Sequence, residues 1–275
     1  MYKLLVLDLD GTLTNKKKEI TPHTLQVLKK AQQEGLKIVL ASGRPTYGIV
    51  PLAEQLELKH FGGYIMAFNG GLILDCATGE TIHQNFLDPS VYPYLYEKGN
   101  TKDFKILSYK DEYIVSEDIA NEYVAYEARL NKMPLMQVEN FLDVITFPEP
   151  KCLIVGDPEI LKDLELEMRE KLQHCMSVYR SEPFFLELLP LGIDKAKCLE
   201  KLLERMQIDR KNVIACGDGF NDLSMIEFAG LGVAMANAQQ VVKNAADYIT
   251  LSNEEDGVAA VVEKFFFKKE SHTQA

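Results

Sequence analysis

Short apolar runs alternate with amphipathic segments along the first third of the chain. Each run is continuous, which is typical of a strand buried on both faces of a sheet. The segment after the first run carries helix signals, with Thr21 as a cap, Pro22 at the first helical position and Gly35 just past the end. The predicted strands cover residues 3–7, 36–42 and 64–69, with a helix near 45–56 and a hairpin that follows Gly70-Gly71.

The last third repeats this alternation. Strands that alternate with helices predict a parallel sheet with helices on both faces, so the expected fold class is α/β with a Rossmann-like parallel-sheet core. The FFFKKESHTQA end is expected to be a frayed helix and a tail. The predicted strands cover 212–219, 231–236 and 247–250, and the helices cover 194–207, 221–229, 238–246 and a segment that begins near residue 256.

The middle of the chain has a different pattern. It is richer in alternating aromatic and β-branched positions, and it contains two amphipathic helices near 118–132 and 157–173. This pattern indicates an α+β insertion between two halves of one parallel-sheet domain. We therefore predict a core of residues 1–82 and 188–275, interrupted by an insertion of residues 83–187.

The composition limits the kinds of molecule that this protein is expected to bind. The chain has 275 residues, 47% of them hydrophobic, and a formal charge of −11. Nucleic-acid binders need a clustered basic face, so a nucleic acid is not expected as a partner. An anionic small substrate would need positive charge that is concentrated locally, from side chains or from a metal ion.

No segment has the properties of a membrane anchor or a secretion signal. No apolar run approaches the ~20 residues that span a bilayer, and the N-terminal run is interrupted at once by Asp8 and Asp10. The five cysteines are odd in number, widely spaced and without a C-x-x-C pair, which fits a reducing compartment. We expect a cytoplasmic protein with no membrane partner, and the sequence indicates no protein partner.

Candidate chemistry falls at the carboxyl ends of predicted strands, the edge where open parallel sheets bind ligands. The first motif is DLDGT, in which Asp8 and Asp10 leave the first strand and enter a Gly-Thr turn. Alone, it is equally consistent with a polar strand end. A calcium-binding loop does not fit, because its sixth position needs glycine and this chain has Leu13 there.

Two further segments carry positive charge or hydrogen-bond donors. In ASGR, Ser42, the Gly43 amide and Arg44 could hold phosphate oxygens, although a helix cap with a solvated arginine explains the same residues. Lys195 opens a predicted helix, where a lysine is usually a surface charge. Neither segment is decisive alone.

The fourth motif is GDGFND, residues 217–222. Its strand, glycine turn and helix resemble a dinucleotide-binding fingerprint, but Asp222 stands at the third glycine position and would repel a pyrophosphate. Two aspartates around such a turn suit a hard cation instead. No G-K-[ST] sequence occurs in the chain, which excludes a P-loop.

Together the four motifs predict one site. Asp8 and Asp218 at the same sheet edge would repel each other unless a cation lay between them. Mg²⁺ prefers oxygen ligands and commonly binds a few carboxylates together with a substrate phosphate. With Ser42 and Lys195, it would supply the positive potential that an acidic chain otherwise lacks. Aspartate is also a known phosphoryl-accepting nucleophile.

The four motifs resemble those of a known family. DLDGTLT, the strand end at Ser42, Lys195 and GDGFNDLSM occur in the order of the motifs of haloacid dehalogenase-like phosphatases. FNGG at 68–71, VAMANA at 233–238 and EEDGV at 254–258 are similar to the Cof-type branch of that family. One departure is Ala236, where relatives often have glycine, and we expect it to have a modest effect on the loop.

The resemblance implies a role for each candidate residue. Asp8 would be the nucleophile, and Asp10 would be the general acid and base. Mg²⁺ would be bound by the carboxylates of Asp8 and Asp218 and by the backbone carbonyl of Asp10, with Asp222 supporting its water ligands. The residues expected to contact the substrate are Ser42, Gly43, Lys195 and Asn221 at the phosphoryl group, with Arg44 and Asn69 as further candidates on the substrate side.

The activity implied by the resemblance is hydrolysis of a phosphorylated small molecule, expected to be a sugar phosphate, through a phospho-aspartate at Asp8. The family places a large cap between its second and third motifs, where the insertion is predicted. Such a cap would exclude water and read the leaving group. Two alternatives stay open: a phosphomutase that uses the same phospho-aspartate, and a non-catalytic regulator that binds a sugar phosphate.

Overall fold

The computed structural model describes residues 1–267, and the chain divides into two compact units. The core unit consists of residues 1–83 and the chain from Asp194 onward, and the inserted unit consists of residues 84–193. Of the predicted C-terminal tail, residues 265–267 lie in a π-helical turn, and residues 268–275 lie outside the described residues.

Within residues 1–267 the strands are, in chain order, β1 (Leu4–Leu7), β2 (Lys37–Ala41), β3 (Tyr64–Ala67), β4 (Leu72–Asp75), β5 (Thr81–Gln84), β6 (Phe104–Lys110), β7 (Tyr113–Ser116), β8 (Leu135–Gln137), β9 (Cys152–Gly156), β10 (Met176–Glu182), β11 (Phe185–Pro190), β12 (Val213–Gly217), β13 (Leu231–Ala234) and β14 (Tyr248–Ile249). The α-helices are α1 (Pro22–Gln33), α2 (Thr46–Gln55), α3 (Leu58–Phe61), α4 (Tyr92–Gly99), α5 (Glu122–Asn131), α6 (Phe141–Val144), α7 (Pro158–Leu172), α8 (Lys195–Met206), α9 (Leu223–Phe228), α10 (Gln240–Ala245) and α11 (Gly257–Val262).

An eight-stranded sheet forms the centre of the core unit, in the order β14-β13-β12-β1-β2-β3-β4-β5. Neighbouring strands are parallel from β14 to β3, and β4 is antiparallel to β3. The predicted α/β class with a Rossmann-like sheet is therefore confirmed. β1 has β2 on one side and β12 on the other, so the strand order reverses beside β1. Open α/β sheets form their ligand crevices at such a switch point.

Both faces of this sheet are covered. On one face, Leu4 and Val6 of β1 belong to the same buried cluster as Leu199 of α8. The intervening Leu5 and Leu7 point to the opposite face, since side chains alternate along a strand, and they are fully buried as well. Burial on both faces explains why the strands read as continuous apolar runs in the sequence.

The inserted unit has its own six-stranded sheet, in the order β10-β11-β9-β6-β7-β8. Its pairings are antiparallel except that of β7 with β8, which is parallel. Ile154 of β9 packs in one buried cluster with Leu161 and Met168 of α7. The helix start predicted at Asp157 and Pro158 is confirmed, because the Asp157 side chain accepts the Glu159 N–H.

The boundary predicted at residue 187 is displaced in the structure. It falls inside β11, and the inserted unit continues to Ile193. The reason is that β11 pairs with β9 from Phe185 to Leu188, so the whole strand belongs to the inserted sheet. The sequence patterns also did not predict β9 or α4. Within residues 1–267, every helix is too short or too polar to traverse a lipid bilayer.

The core of the inserted unit can be tested with a matched pair of isoleucines. Ile154 is fully buried in β9, whereas Ile160 on α7 is 41% exposed. Ile154→Ala should lower the free energy of unfolding by about 2–5 kcal/mol, because it leaves a cavity. Ile160→Ala should change it by about 0.5 kcal/mol or less. Urea unfolding of both variants measures the difference, and equal losses would contradict this assignment of the core.

Candidate active site

Three carboxylates meet at the carboxyl edge of the core sheet. Asp8 directly follows β1, and Asp218 and Asp222 lie in the turn after β12. β1 and β12 are parallel neighbours, which places the residues that follow them side by side. One oxygen of each carboxylate lies within 4.8 Å of the others. The structure thus brings together three of the predicted metal-site residues.

Lys195 lies among these carboxylates with a fully buried side chain. Its ammonium donates to Asp8 Oδ1 at 2.8 Å, to Asp222 Oδ1 at 2.6 Å and to the carbonyl of Ala41 at 2.9 Å. These three bonds use all the donors that a lysine has. Burial alone would lower the pKa of Lys195, but Asp222 and Asp8 outweigh it and raise that pKa, so the group stays charged. Lys195 is therefore a buried cation rather than a surface charge.

One ammonium does not balance three carboxylates. Burial and the neighbouring Asp222 raise the pKa of Asp8 well above its ordinary value. The same two causes raise the pKa of Asp218 to about 6. When all three carboxyls are ionised, the cluster carries two unbalanced negative charges in a largely buried place. The site therefore favours the binding of additional positive charge.

The carboxylate oxygens at this site are suitable ligands for a divalent cation. Among residues 1–267, Asp8 Oδ2 has no hydrogen-bond partner, and Asp218 Oδ1 accepts the Thr12 hydroxyl at 3.0 Å. Asp222 Oδ2 accepts the backbone N–H groups of Asp218 and Gly219, at 3.0 and 2.9 Å. Each carboxylate has about four lone-pair sites, so Asp8 and Asp218 can still bind a hard cation beside these hydrogen bonds, and Asp8 keeps Oδ2 free of such bonds within the described chain. Asp222, by contrast, uses its carboxylate to hold the turn and Lys195.

Gly11 of the DLDGT motif lets Asp218 approach the chain closely. A Cβ at this position would lie 2.3 Å from Asp218 Oδ2, and the residue has a φ of +87°. A side chain here would therefore displace the Asp218 carboxylate and would also strain the backbone. The glycine in the motif thus lets Asp218 keep its place in the acid cluster.

Asp10 lies outside this cluster and has cationic partners of its own. Its carboxylate accepts Arg44 Nε at 2.7 Å, Arg44 Nη2 at 2.6 Å and Lys18 Nζ at 2.6 Å. Burial would raise the pKa of Asp10, but the hydrogen bonds and charges of Arg44 and Lys18 lower it overall. Arg44, which was predicted to contact the substrate, thus forms an ion pair with Asp10 in this structure. In this arrangement Asp10 is ionised at neutral pH and can accept a proton.

The ends of β2 and β3 contribute donors near the same edge. Ser42 is buried, and its hydroxyl oxygen accepts the Arg44 N–H at 3.1 Å. The Gly43 N–H has no hydrogen-bond partner within the described chain, so it is available to an anion. Asn221 Nδ2 donates to Asn69 Oδ1 at 3.1 Å, which links the turn after β12 to the end of β3.

Three residues with contacts at the site were absent from the predicted set. They are Thr12, which donates to Asp218; Lys18, which contacts Asp10; and Asn237, whose amide donates to the Gly11 carbonyl at 2.8 Å. Thr12 stands inside the DLDGT motif, and Asn237 stands inside VAMANA, so their positions in the motifs were the available signal. Lys18 stands in a run of three lysines that gives no such signal.

The departure at Ala236 is accommodated without strain. Its φ is not among the positive values in the chain, and its N–H donates to the carbonyl of Leu251 at 3.2 Å. An alanine can adopt this backbone as readily as a glycine.

Comparisons with known proteins identify the family of this chain. A family model for haloacid dehalogenase-like hydrolases matches residues 5–262. The chain is similar to a crystal structure of a haloacid dehalogenase-like hydrolase from Bacteroides thetaiotaomicron, with a TM-score of 0.95 and 54% identity, over 97% of this chain and 100% of that chain. Two Bacillus subtilis (strain 168) relatives are also similar. YxeH is 34% identical over 98% of this chain and 100% of its own. The 5-amino-6-(5-phospho-D-ribitylamino)uracil phosphatase YcsE is 32% identical over 94% of each chain.

The family match extends over nearly the whole chain, and relatives of this similarity are named as phosphatases. The chain therefore belongs to the haloacid dehalogenase-like hydrolases and is a phosphatase of that family.

Proposed function

We propose that this phosphatase hydrolyses a phosphorylated small metabolite, a sugar phosphate, through a covalent phospho-aspartate at Asp8. The observation that carries the proposal is the state of the Asp8 carboxylate. Lys195 holds Oδ1 at 2.8 Å, while Oδ2 has no hydrogen-bond partner among residues 1–267. One oxygen is thus fixed in position, and the other is available to attack phosphorus.

The nucleophile must be ionised, and its surroundings need a second cation for that. Mg²⁺ is the cation we propose, held by the carboxylates of Asp8 and Asp218 and by the backbone carbonyl of Asp10. When bound, it would neutralise the remaining charge of the cluster and polarise the phosphoryl oxygens. Asp222 would support the water ligands of the ion rather than bind the ion directly, because its oxygens already accept hydrogen bonds from Lys195 and from the turn after β12.

The proposed reaction has two displacements at phosphorus. In the first, Asp8 Oδ2 forms a bond to phosphorus, the bond to the leaving-group oxygen breaks, and Asp10 gives that oxygen a proton. In the second, Asp10 takes a proton from a water molecule that attacks the phospho-aspartate, which frees inorganic phosphate and restores Asp8. Ser42, the Gly43 N–H and Asn221 are proposed to donate hydrogen bonds to the phosphoryl oxygens, and Lys195, whose three donors are used within the site, is proposed to bind them through its charge.

Asp10 must change its partners during this cycle. Paired with Arg44 and Lys18, it is ionised and can accept a proton but cannot donate one. The acid step therefore requires that a protonated Asp10 moves away from the guanidinium before the leaving group departs. The base step fits the paired arrangement as it stands.

The substrate class rests on the family and on a named relative. YcsE is named for a substrate whose phosphate is carried by a ribityl group. A sugar phosphate presents its phosphate on a similar hydroxylated chain. We propose that the inserted unit is the cap that reads this part of the substrate, and that the enzyme works in the cytoplasm on a free small molecule.

Replacing the nucleophile tests the proposed reaction. Asp8→Asn should lower kcat for p-nitrophenyl phosphate with Mg²⁺ by at least about 10³-fold, since an amide oxygen cannot form the phospho-enzyme. Asp103→Asn, a change at an exposed aspartate of the inserted unit, is the matched control and should keep full activity. Full activity of a folded Asp8→Asn protein would refute the assignment of Asp8.

The acid cluster predicts how pH governs metal binding. Because the pKa of Asp218 is raised to about 6, its carboxyl favours the folded state while protonated and loses that advantage as the pH rises through 6. A divalent cation should therefore stabilise the protein at pH 8 and compete with protons at pH 5. At about 100 times its Kd, Mg²⁺ should add about 2–3 kcal/mol at pH 8.

Thermal unfolding of EDTA-treated protein, with and without MgCl₂, measures this effect. The rise in Tm should be several degrees at pH 8, much smaller at pH 5, and absent at pH 8 in Asp218→Asn. An equal rise at both pH values would show that Mg²⁺ binds somewhere other than this cluster.

A further inference from the structure

Two asparagine side chains hold the loop that carries Asp10. Asn237 Nδ2 donates to the carbonyl of Gly11 at 2.8 Å, and Asn253 Nδ2 donates to the carbonyl of Thr14 at 2.9 Å. The two asparagines are joined, because Asn237 Oδ1 accepts the backbone N–H of Asn253 at 3.1 Å. We call these two residues the amide brace. They come from VAMANA and from the residue before EEDGV, two stretches to which the proposed reaction gives no role.

Both bonds of the brace reach the backbone beside Asp10. Gly11 follows Asp10 directly, and Thr14 forms an isolated β-bridge with Asp10. Thr14 also returns to the strand end, since its N–H and its hydroxyl both donate to the carbonyl of Leu9. The amide brace therefore holds the turn that follows Asp10 at Gly11 and at Thr14, and the β-bridge of Thr14 returns to Asp10 itself.

The loop needs an external support because of Gly11. A side chain there would displace the Asp218 carboxylate, and the φ of +87° independently favours glycine. Glycine leaves the peptide groups on either side free to rotate. A hydrogen bond to the Gly11 carbonyl restores the constraint that a side chain would otherwise give.

The turn that carries Asn237 is anchored to the strand end that carries Asp218. The Met235 N–H donates to the carbonyl of Gly217 at 3.1 Å, and the Gln239 N–H donates to the carbonyl of Asp218 at 3.0 Å. Asn237 thus ties the Asp10 loop to the carboxylate cluster through a short path of hydrogen bonds.

We propose that Asn237 and Asn253 are positioning residues that set where the Asp10 carboxyl stands relative to the leaving-group oxygen. This proposal rests on the proposed role of Asp10 as proton donor. Asn237 is exposed and Asn253 is half-buried, so water can satisfy the two carbonyls when the amides are removed. The variants should therefore fold, and they should lose the position of the loop rather than its stability.

Leaving-group dependence separates positioning from a structural role. p-Nitrophenolate leaves as a stable anion and needs little protonation, whereas the alkoxide of a sugar needs a proton from Asp10. The release of the leaving group in a single turnover reports the first displacement alone, before the base step that both substrates share. A misplaced Asp10 should therefore slow this release from a sugar phosphate and spare it from p-nitrophenyl phosphate. A loss of folded protein would affect the release from both substrates in the same way.

The experiment compares the single-turnover rate of leaving-group release, with enzyme in excess, for these two substrates, and the sugar phosphate is the best one in a panel that includes glucose 6-phosphate. Asn237→Ala should lower this rate for the sugar phosphate by about 10-fold or more and for p-nitrophenyl phosphate by less than about 2-fold. Asn237→Asp should behave as Asn237→Ala does, because it keeps the acceptor for Asn253 but loses the donor to Gly11.

The two asparagines hold two points of one loop and share a hydrogen bond, so their effects should be coupled. Asn253→Ala should show the same selectivity with a smaller loss, and the double variant should lose at least as much as Asn237→Ala. Asn244→Ala is the matched control. Asn244 is exposed on α10 and accepts a bond from Gln240 of the same helix, so both rates should be unchanged.

Equal losses on both substrates, or no loss on either, would overturn the positioning role. Asp10→Asn tells this failure apart from a failure of the proposed function. If Asp10→Asn selectively slows the sugar phosphate and Asn237→Ala does not, only the amide brace loses its role. If Asp10→Asn shows no selectivity, Asp10 is not the proton donor, and both proposals fail.

Discussion

One buried ammonium among carboxylates is the interaction on which the site depends. Lys195 donates to Asp8, to Asp222 and to the carbonyl of Ala41, and its side chain is fully buried. Without it, three acids would face one another in a poorly solvated place. At an effective dielectric constant of 20, two charges 4–5 Å apart repel each other by roughly 3–4 kcal/mol. That is a large part of the about 5–15 kcal/mol by which a domain is stable, so the lysine serves the fold as well as the chemistry.

The requirement for this cation constrains the architecture around it. α8 must begin at Lys195, and Asp194 caps it there by accepting the Lys197 N–H. The helix is held in place by Leu199, which packs in the same cluster as Leu4 of β1. The hydrophobic face of α8 thus delivers a charged residue to the sheet edge. By contrast, Asp10 and its cationic partners are partly exposed, and in the proposed reaction this is the part of the site that rearranges.

Much of the fold could be predicted because its signals are local. Thr21 and Asp157 cap helices by bonds to residues two or three positions away, and sequence alone shows such contacts. The four motifs could be placed at one edge because each follows a strand or opens a helix. β9 and the end of β11 could not be predicted from the sequence, because they pair with strands that are distant along the chain. The hydrogen bonds of Arg44 and Lys18 to Asp10 could not be predicted either, because the partners of long side chains are determined by the folded structure.

The close fit of Gly11 against Asp218 has a consequence for how this enzyme can evolve. The two positions are about two hundred residues apart along the chain, but they are in contact in the fold. A single methyl group at position 11 would collide with the carboxylate of Asp218. A side chain at position 11 must therefore push the carboxylate of Asp218 out of its place in the cluster, in addition to straining a backbone with a φ of +87°. Selection on the acid at position 218 thus also acts on the glycine at position 11.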